Sequence, residues 1–404
     1  MFYHKLRKHR KKVFLAGCIY LLFFSAKLLY DSVPDEIYVV KGEEKEITFS
    51  VPVSVEKKEE SMEVFKNLNQ THTDYQLSCH FLHFIPVKDV DVHVVDKKYV
   101  LPSGMPIGIY AKTNGVLVLG TGKVTASDGL NHEPAYQLVQ SGDYIVSVNG
   151  IRINGKAELI HQINASEGKA LVLGIVRDNE WIEIKVQPIV LEDGSYKLGI
   201  WVRDDMAGVG TLTYVQENLS FGALGHPISD ADTGGILSVA SGSVYDTEII
   251  GIVKGEDGIP GELTGVINYN DEFHLGSIQE NSKDGIYGIL DEIPQEIAVE
   301  YMEVGLKQDI QKGDAYILSS LDGELQQYQV EIDEINFNSE EENKGILFHV
   351  VDSELLETTG GVVQGMSGSP LVQNGKIIGA VTHVFVNDPT KGYGIFIEEM
   401  LEHN

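Results

Sequence analysis

The first long apolar block runs from Val13 to Ala26 (VFLAGCIYLLFFSA) and is followed by Lys27 and then Leu28, Leu29 and Tyr30. As a helix the uninterrupted block spans about 21 Å, and Val13 to Tyr30 about 27 Å with Lys27 snorkelling, against a hydrocarbon core of about 30 Å. Six bases and no acid precede it (Lys5, Arg7, Lys8, Arg10, Lys11, Lys12). Such a cationic flank stays cytoplasmic and sends the rest of the chain outside. A cleaved leader and a retained signal-anchor both fit, and the lack of a small-x-small site after the block favours the anchor.

After the block the apolar period shortens. Residues 31–100 mix strand-like alternation (Glu46 to Val53) with charged stretches such as Lys57-Lys58-Glu59-Glu60, which predicts a stalk with short strands. Cys79, His80 and His83 lie in the apolar run CHFLHFIPV with no fourth ligand nearby, so that run reads as a strand and not a metal site. From Leu101 short strands and glycine turns take over. A glycine loop, Gly104-Met105-Pro106-Ile107-Gly108, leads into a strand. The segment Pro134 to Gly150 reads as a short helix ending at Gly142, a strand, and a turn at Asn149-Gly150. Ala157 to Ile163 has helical spacing, and Leu171 to Arg177 with Trp181 to Pro188 form a hairpin across Asp178-Asn179. These pieces, above all GDYIVSVNG, resemble a PDZ domain over 101–196. The resemblance implies that the loop Gly104 to Gly108 receives a peptide as an added strand. Beyond residue 197 the chain is β-rich, and its strongest hairpin signal is Asn374-Gly375.

Charge changes the picture in one respect. Thirty-one bases against 60 acids give −29, and setting aside the basic tip leaves an acidic body of 25 bases and 60 acids. A chain of that sign does not wrap nucleic acid, which needs a cationic face. Two cysteines, Cys18 inside the apolar block and Cys79 far from it, do not make a disulfide framework.

The candidate chemistry sits near the end of the chain. In Gly365-Met366-Ser367-Gly368-Ser369-Pro370 a serine has glycines at −2 and +1. That spacing gives backbone room for a sharp turn exposing the hydroxyl, and N–H groups that can meet a developing oxyanion. The string is similar to the nucleophile loop of trypsin-like serine proteases, which makes Ser367 the nucleophile and the N–H groups of Gly365 and Ser367 the oxyanion hole. Thr382 and His383, on the next strand, would then wall a specificity pocket. A serine needs a base. Of thirteen histidines, His226 stands out in the small-residue turn Gly222-Ala223-Leu224-Gly225-His226-Pro227, with His383 as its rival by nearness to Ser367. For a carboxylate to orient the base, Asp352 at the end of an apolar strand competes with Asp230 and Asp232 near His226.

The stretches GVGTLTYV, FGALGHPISD and DSELLETTGGVVQGMSGSPLVQNGKIIGAVTHVFVNDPTKGYG, with the upstream PDZ-like unit, resemble the stage IV sporulation protein B family of serine endopeptidases of endospore-forming bacteria. That resemblance implies the triad His226, Asp352 and Ser367 with no cofactor and no metal. It also implies an enzyme anchored in the forespore membrane with its bulk extracytoplasmic, self-cleaving between Asp31 and about His72 and then released into the intermembrane space. Its implied partners are its own N-terminal segment, a membrane-bound regulator of the intramembrane protease that activates a late sporulation sigma factor, and an inhibitor protein. The architecture expected is mainly β: an anchor over 1–30, a stalk over 31–100, a PDZ-like α+β module over 101–196, and a divergent trypsin-like β-barrel protease domain over 197–404. The rival readings are a non-catalytic PDZ adaptor and a general PDZ-containing stress protease.

Overall fold

The computed structural model describes residues 74–297, 300–339 and 341–403, together with 51–58, 23–42 and positions 17, 20, 21, 47 and 49. Most of the predicted anchor, Cys18, and most of the region expected to be cut lie outside the described residues. Among the described residues no helix is long and apolar enough to cross a membrane.

The segment expected to be a stalk folds as a small sheet. Strands β1 (Glu36–Val40), β2 (Val53–Lys57), β3 (Tyr75–Phe81) and β4 (Ile85–Val95) assemble in the order β1-β4-β3-β2. Alternate residues point inward, so Ile37, Val39, Leu77, Cys79, Val90 and Val92 make a core of their own. The sheet docks on the C-terminal part of the chain: Asn338 donates through Nδ2 to the carbonyls of Asp31 and Val33, and Lys307 Nζ lies 3.4 Å from Glu36.

From Tyr99 to Phe396 all but four short strands join in one closed hydrogen-bonded system around two apolar cores. The first core is built by β5 (Tyr99–Pro102), the first half of β6 (Pro106–Thr121), the second half of β10 (Ile200–Val215), β11 (Ser220–Ala223), β12 (Val239–Val253), β14 (His274–Ser282) and β15 (Gly285–Leu290), with β13 (Glu262–Ile267) paired on β12 and β16 (Met302–Val304) joining β5 to the second half. The second is built by β17 (Gly313–Ser319), β18 (Gln326–Ile335), β19 (Ile346–Val350), β20 (Pro370–Gln373), β21 (Lys376–Phe385) and β22 (Asp388–Phe396), with Leu355 of helix α2 (Ser353–Thr359) packed in. A third layer, including Val100, Tyr214, Tyr287, Ile377 and Ile395, seals the two halves together.

The small α+β module is inserted into the first half and does not precede it. Its strands are the second half of β6, β7 (Tyr144–Val148), β8 (Leu171–Arg177), β9 (Glu180–Val186) and the start of β10, with helix α1 (Lys156–Ala165) packed on its core through Leu159 and Ile163. The module therefore spans about 116–202. Leu101, Met105, Ile107, Ile109 and Ala111 belong to the first β core, so the expected boundaries at 101, 196 and 197 move. The hairpin at Asp178-Asn179 forms with both residues at positive φ and Arg177 opposite Glu180. The helix expected before Gly142 is only a set of turns.

Candidate functional site

The nucleophile loop is held from both halves of the molecule. Met366 drives its side chain into the second core, which is fully closed around it, and so leaves the next residue, Ser367, at the cleft. Gly368 has φ +96°, and a Cβ there would meet the carbonyl oxygen of Thr211 at 2.1 Å, so only glycine lets the loop approach β10 this closely. Thr211 clasps the loop: its N–H donates to Ser367 O (2.9 Å) and its hydroxyl to Gly365 O (2.7 Å). Among the described residues the N–H groups of Gly365 and Ser367 themselves have no acceptor. They remain available to a ligand.

His226 reaches the same cleft from the first half. After β11 the chain turns through Leu224 (φ +71°) and Gly225 (φ +69°), where a Cβ would press on Thr382 Cγ2 at 2.9 Å. This tight crossing between the halves carries the imidazole into a cleft it shares with Ser367, Gly365, Thr382 and His383. His226 Nδ1 lies 2.9 Å from the carbonyl oxygen of Pro227. A carbonyl can only accept, so the proton is on Nδ1 and Nε2 keeps its lone pair, the tautomer a base towards serine requires. Burial holds His226 below the usual histidine range, with the Pro227 carbonyl acting in the opposite direction.

His383 stacks obliquely on His226, with ring centroids 5.3 Å apart. Its Nδ1 is buried without a protein partner, and burial, reinforced by the charge of His226, pushes its pKa down to about 4. It is therefore a neutral wall at physiological pH. The Ser367 hydroxyl donates at rest to the carbonyl oxygen of Thr382 (2.9 Å).

Asp352 is not brought to His226. Its Oδ1 accepts from the N–H groups of Glu354 and Leu355 (3.0 Å each), capping α2, and its Oδ2 accepts from Gln329 N (3.2 Å). The two other carboxylates considered are engaged as well: buried Asp230 pairs with Arg203, which also holds Asp232 at 2.9 Å. In the sequence the family resemblance singled out Asp352, an acid at the end of an apolar strand, but here that acid is spent on capping α2.

The glycine loop Gly104, Met105, Pro106, Ile107 and Gly108 is corrected by the structure. Gly104 donates to Leu212 O, and a Cβ on it would strike Leu318 O at 2.7 Å. Met105 and Ile107 are interior residues of the first β core. No peptide reaches them. The module itself holds a cavity of about 480 Å³ between α1 and the start of β10, lined by Leu159, Ile163, Leu198, Ile200 and Val202 among others. Ile200 to Val202 pair with β6 on one edge and face α1 on the other. The string Leu198-Gly199-Ile200 beside this cavity has the same apolar-Gly-apolar form as Ile107-Gly108-Ile109, and local sequence does not distinguish the two. Thr211 was also missed; its only trace was membership of the stretch GVGTLTYV.

Among solved structures, the active form of the Rv3671c protease from M. tuberculosis is 15% identical over 49% of this chain and 74% of its own, with a TM-score of 0.28. The PDZ domain of the SdrC-like protein (Lmo2051) from Listeria monocytogenes is 19% identical over 22% of this chain and 87% of its own, with a TM-score of 0.18. The profile of the SpoIVB peptidase S55 family matches residues 194–401, which takes in the His226 turn, Thr211 and the whole nucleophile loop. The chain belongs to the SpoIVB peptidase S55 family and is a serine endopeptidase.

Proposed function

We propose that Ser367 is the nucleophile and His226 the general base of a protease of divergent trypsin-like, two-barrel form. The observation that carries this reading is one cleft holding the Ser367 hydroxyl, an imidazole whose tautomer is fixed by Pro227 O, and the two uncommitted N–H groups of Gly365 and Ser367. The hydroxyl first leaves Thr382 O. A substrate lying along β21 offers an N–H to that same carbonyl, which releases the hydroxyl towards His226 Nε2. Proton transfer to Nε2 accompanies attack of Oγ on the peptide carbonyl carbon, and the N–H groups of Gly365 and Ser367 take the oxyanion. The imidazolium keeps its Nδ1–H on Pro227 O and returns the Nε2 proton to the leaving amine. Water then hydrolyses the acyl-enzyme with His226 again as base. Asp352 acts at one remove, by fixing α2 and hence the turn that leads into Ser367.

The wider role we assign is that of the family: an anchored, extracytoplasmic forespore enzyme in sporulation signalling. It shortens its own N-terminal segment and then cuts a membrane-bound regulator of a sigma-factor-activating intramembrane protease. The α1/β10 groove serves as its PDZ-like peptide site, and an inhibitor protein belongs to the same scheme. The test is a side-by-side incubation of the purified chain and Ser367→Ala, read by N-terminal shortening and by fluorophosphonate labelling. The wild type shortens and labels, and the alanine form does neither. Equal shortening of the two would overturn the assignment.

A further inference from the structure

The cleft in front of Ser367 opens into a cavity of about 460 Å³. Its apolar walls come from three places: Val362 and Val363 ahead of the nucleophile loop, Val384 and Val386 on and beyond β21, and Val209 and Leu224 in the first half. Among the residues lining it there is no Asp, Glu, Lys or Arg. Its polar side chains are Ser229, Gln364, Ser367, Thr382 and the two histidines. Both imidazoles stay neutral, since burial lowers each of them. Two charges that act on His383, Lys344 and Glu341, pair with each other, and Asp230, next to Ser229, is buried against Arg203.

The position of the cavity relative to the substrate backbone follows from the sheet. β20 pairs with β21 only as far as Ala380, and the nucleophile loop extends that pairing to Val381. From His383 onward β21 therefore presents a free edge along the cleft. A peptide added there places the residue whose carbonyl meets Ser367 against Thr382 to Val384, with its side chain over the cavity.

We propose that this cavity selects the residue on the acyl side of the cut by an uncharged, apolar side chain. This rests on the assignment of Ser367 as nucleophile. An aliphatic or aromatic group leaves water for a wall of valines and a leucine, which is favourable. A lysine, arginine, aspartate or glutamate meets no opposite charge there and loses its hydration without compensation. Neutral apolar residues at this position are therefore favoured over charged ones by about 100-fold or more in kcat/KM, since a site that strips a charge of its partners discriminates more strongly than one that counts methylenes.

Two sets of reagents test this on the full chain: matched peptides differing only at the residue before the cut, and peptidyl diphenyl phosphonates with the same variation, whose labelling of Ser367 needs no turnover. Leu, Val, Met and Phe are expected to react at least about 100-fold faster than Lys, Arg, Asp and Glu. The residue preceding the new N-terminus made by self-shortening is expected to be apolar. Val386→Glu, at an exposed edge of the cavity, raises the Lys and Arg rates at least about tenfold relative to Leu, and Val384→Glu repeats the test deeper in the wall. A charged residue reacting within tenfold of Leu in the wild-type chain would overturn the proposal. If fluorophosphonate labels Ser367 but the phosphonates show no dependence on that residue, the specificity fails while the nucleophile stands. If nothing labels Ser367, both fall.

Discussion

The role of Asp352 is decided by replacing it with asparagine and with alanine. In the structure its two oxygens accept three backbone hydrogen bonds, two from the first turn of α2 and one from Gln329. Asparagine caps a helix about as well as aspartate, whereas alanine costs about 1 kcal/mol and up to about 2. Asp352→Asn should therefore lose about 0.5 kcal/mol, chiefly at Gln329, and Asp352→Ala about 1–2 kcal/mol, or several degrees in Tm. Since His226 already has its Nδ1–H on Pro227 O, the asparagine form should keep kcat within about threefold, whereas removal of a true orienting carboxylate costs about 10⁴ in kcat. The alanine form should lose activity in step with the looseness of α2 and be partly rescued by cooling. The assay pairs urea unfolding with hydrolysis of a peptide, each normalised to the fraction of Ser367 that fluorophosphonate labels. A fall of 10³ or more for Asp352→Asn with unchanged stability would refute the capping account. It would show that the working enzyme carries Asp352 to His226.

Four further outcomes follow from the packing. His226 must be neutral to accept a proton and burial lowers its pKa, so kcat/KM should fall only below pH 6.5 and stay flat from pH 7 to 8; a midpoint at 7 or above would contradict its burial. His383, held at about 4 in the fold, contributes stability that is present above its unfolded value of about 6.5 and lost as pH drops towards 4, so His383→Gln should flatten the acid side of the unfolding profile. Glu398 has the opposite sign: its Oε2 accepts from Lys307 N, its Oε1 is buried without a protein partner, and burial pushes it up to about 7. Stability is then lost as pH rises from about 4.5 to 7, and Glu398→Gln should gain about 1–2 kcal/mol at pH 8 but little at pH 5, by chemical denaturation. Arg203→Ala leaves the carboxylate of Asp230, 1% exposed, without its cation; it should cost about 2–4 kcal/mol, with Asp230→Asn in the same chain restoring more than half. A loss below about 0.5 kcal/mol would show that the pair is not holding the turn after His226.

What could be read from the sequence was whatever is decided within a few residues. The turns at Asp178-Asn179 and Asn374-Gly375 are settled by the tolerance of Asn, Asp and Gly for positive φ, and both hairpins form. The loop around Ser367 was legible for the same reason, since glycines at fixed offsets dictate a turn that leaves the hydroxyl outside. The features that stayed hidden depend on partners far along the chain. Thr211 holds Gly365 and Ser367 from more than 150 residues away, and no local pattern marks a threonine for that. That Asp352 caps α2 stayed hidden because an acid ending an apolar strand and an acid capping the next helix have the same local sequence. The sheet over 36–95 read as a stalk because its strands are short, separated by charged stretches, and joined partly by a parallel pairing of β1 with β4 that sequence neighbours do not announce.

The hardest boundary to see was the entry into the inserted module, and the pairing shows why. β6 and β10 are each 16 residues long and cross from the first β core into the module without ending. Their pairing puts Lys112 opposite Asp205 and then Leu117 opposite Arg203, with residues 113–116 bulging against Asp204 alone. Within that bulge lie Asn114 and Gly115, the latter at φ +93°, the dipeptide that elsewhere in this chain closes a two-residue hairpin. If Gly115 were followed directly by Asp204, Thr113 would face Asp204, Lys112 would keep Asp205, and Asn114-Gly115 would be the turn. The first half thus has the register of a simple hairpin into which the module has been placed, and the seam lies at 115 and 204. A cut at 101 and 196 would instead remove Leu101, Met105, Ile107 and Ile109 from the core that supports the His226 turn. A cut at 115 and 204 still sacrifices Arg203 on Asp230 and Asp232, Lys156 on Asp204, and the hydrogen bond from Ser238 N–H to the Tyr144 hydroxyl. Arg203, at the seam, is therefore also the cation that anchors the loop after His226, so the module and the proposed active-site cleft share a strand, a bulge and a buried charge and do not meet merely at a surface.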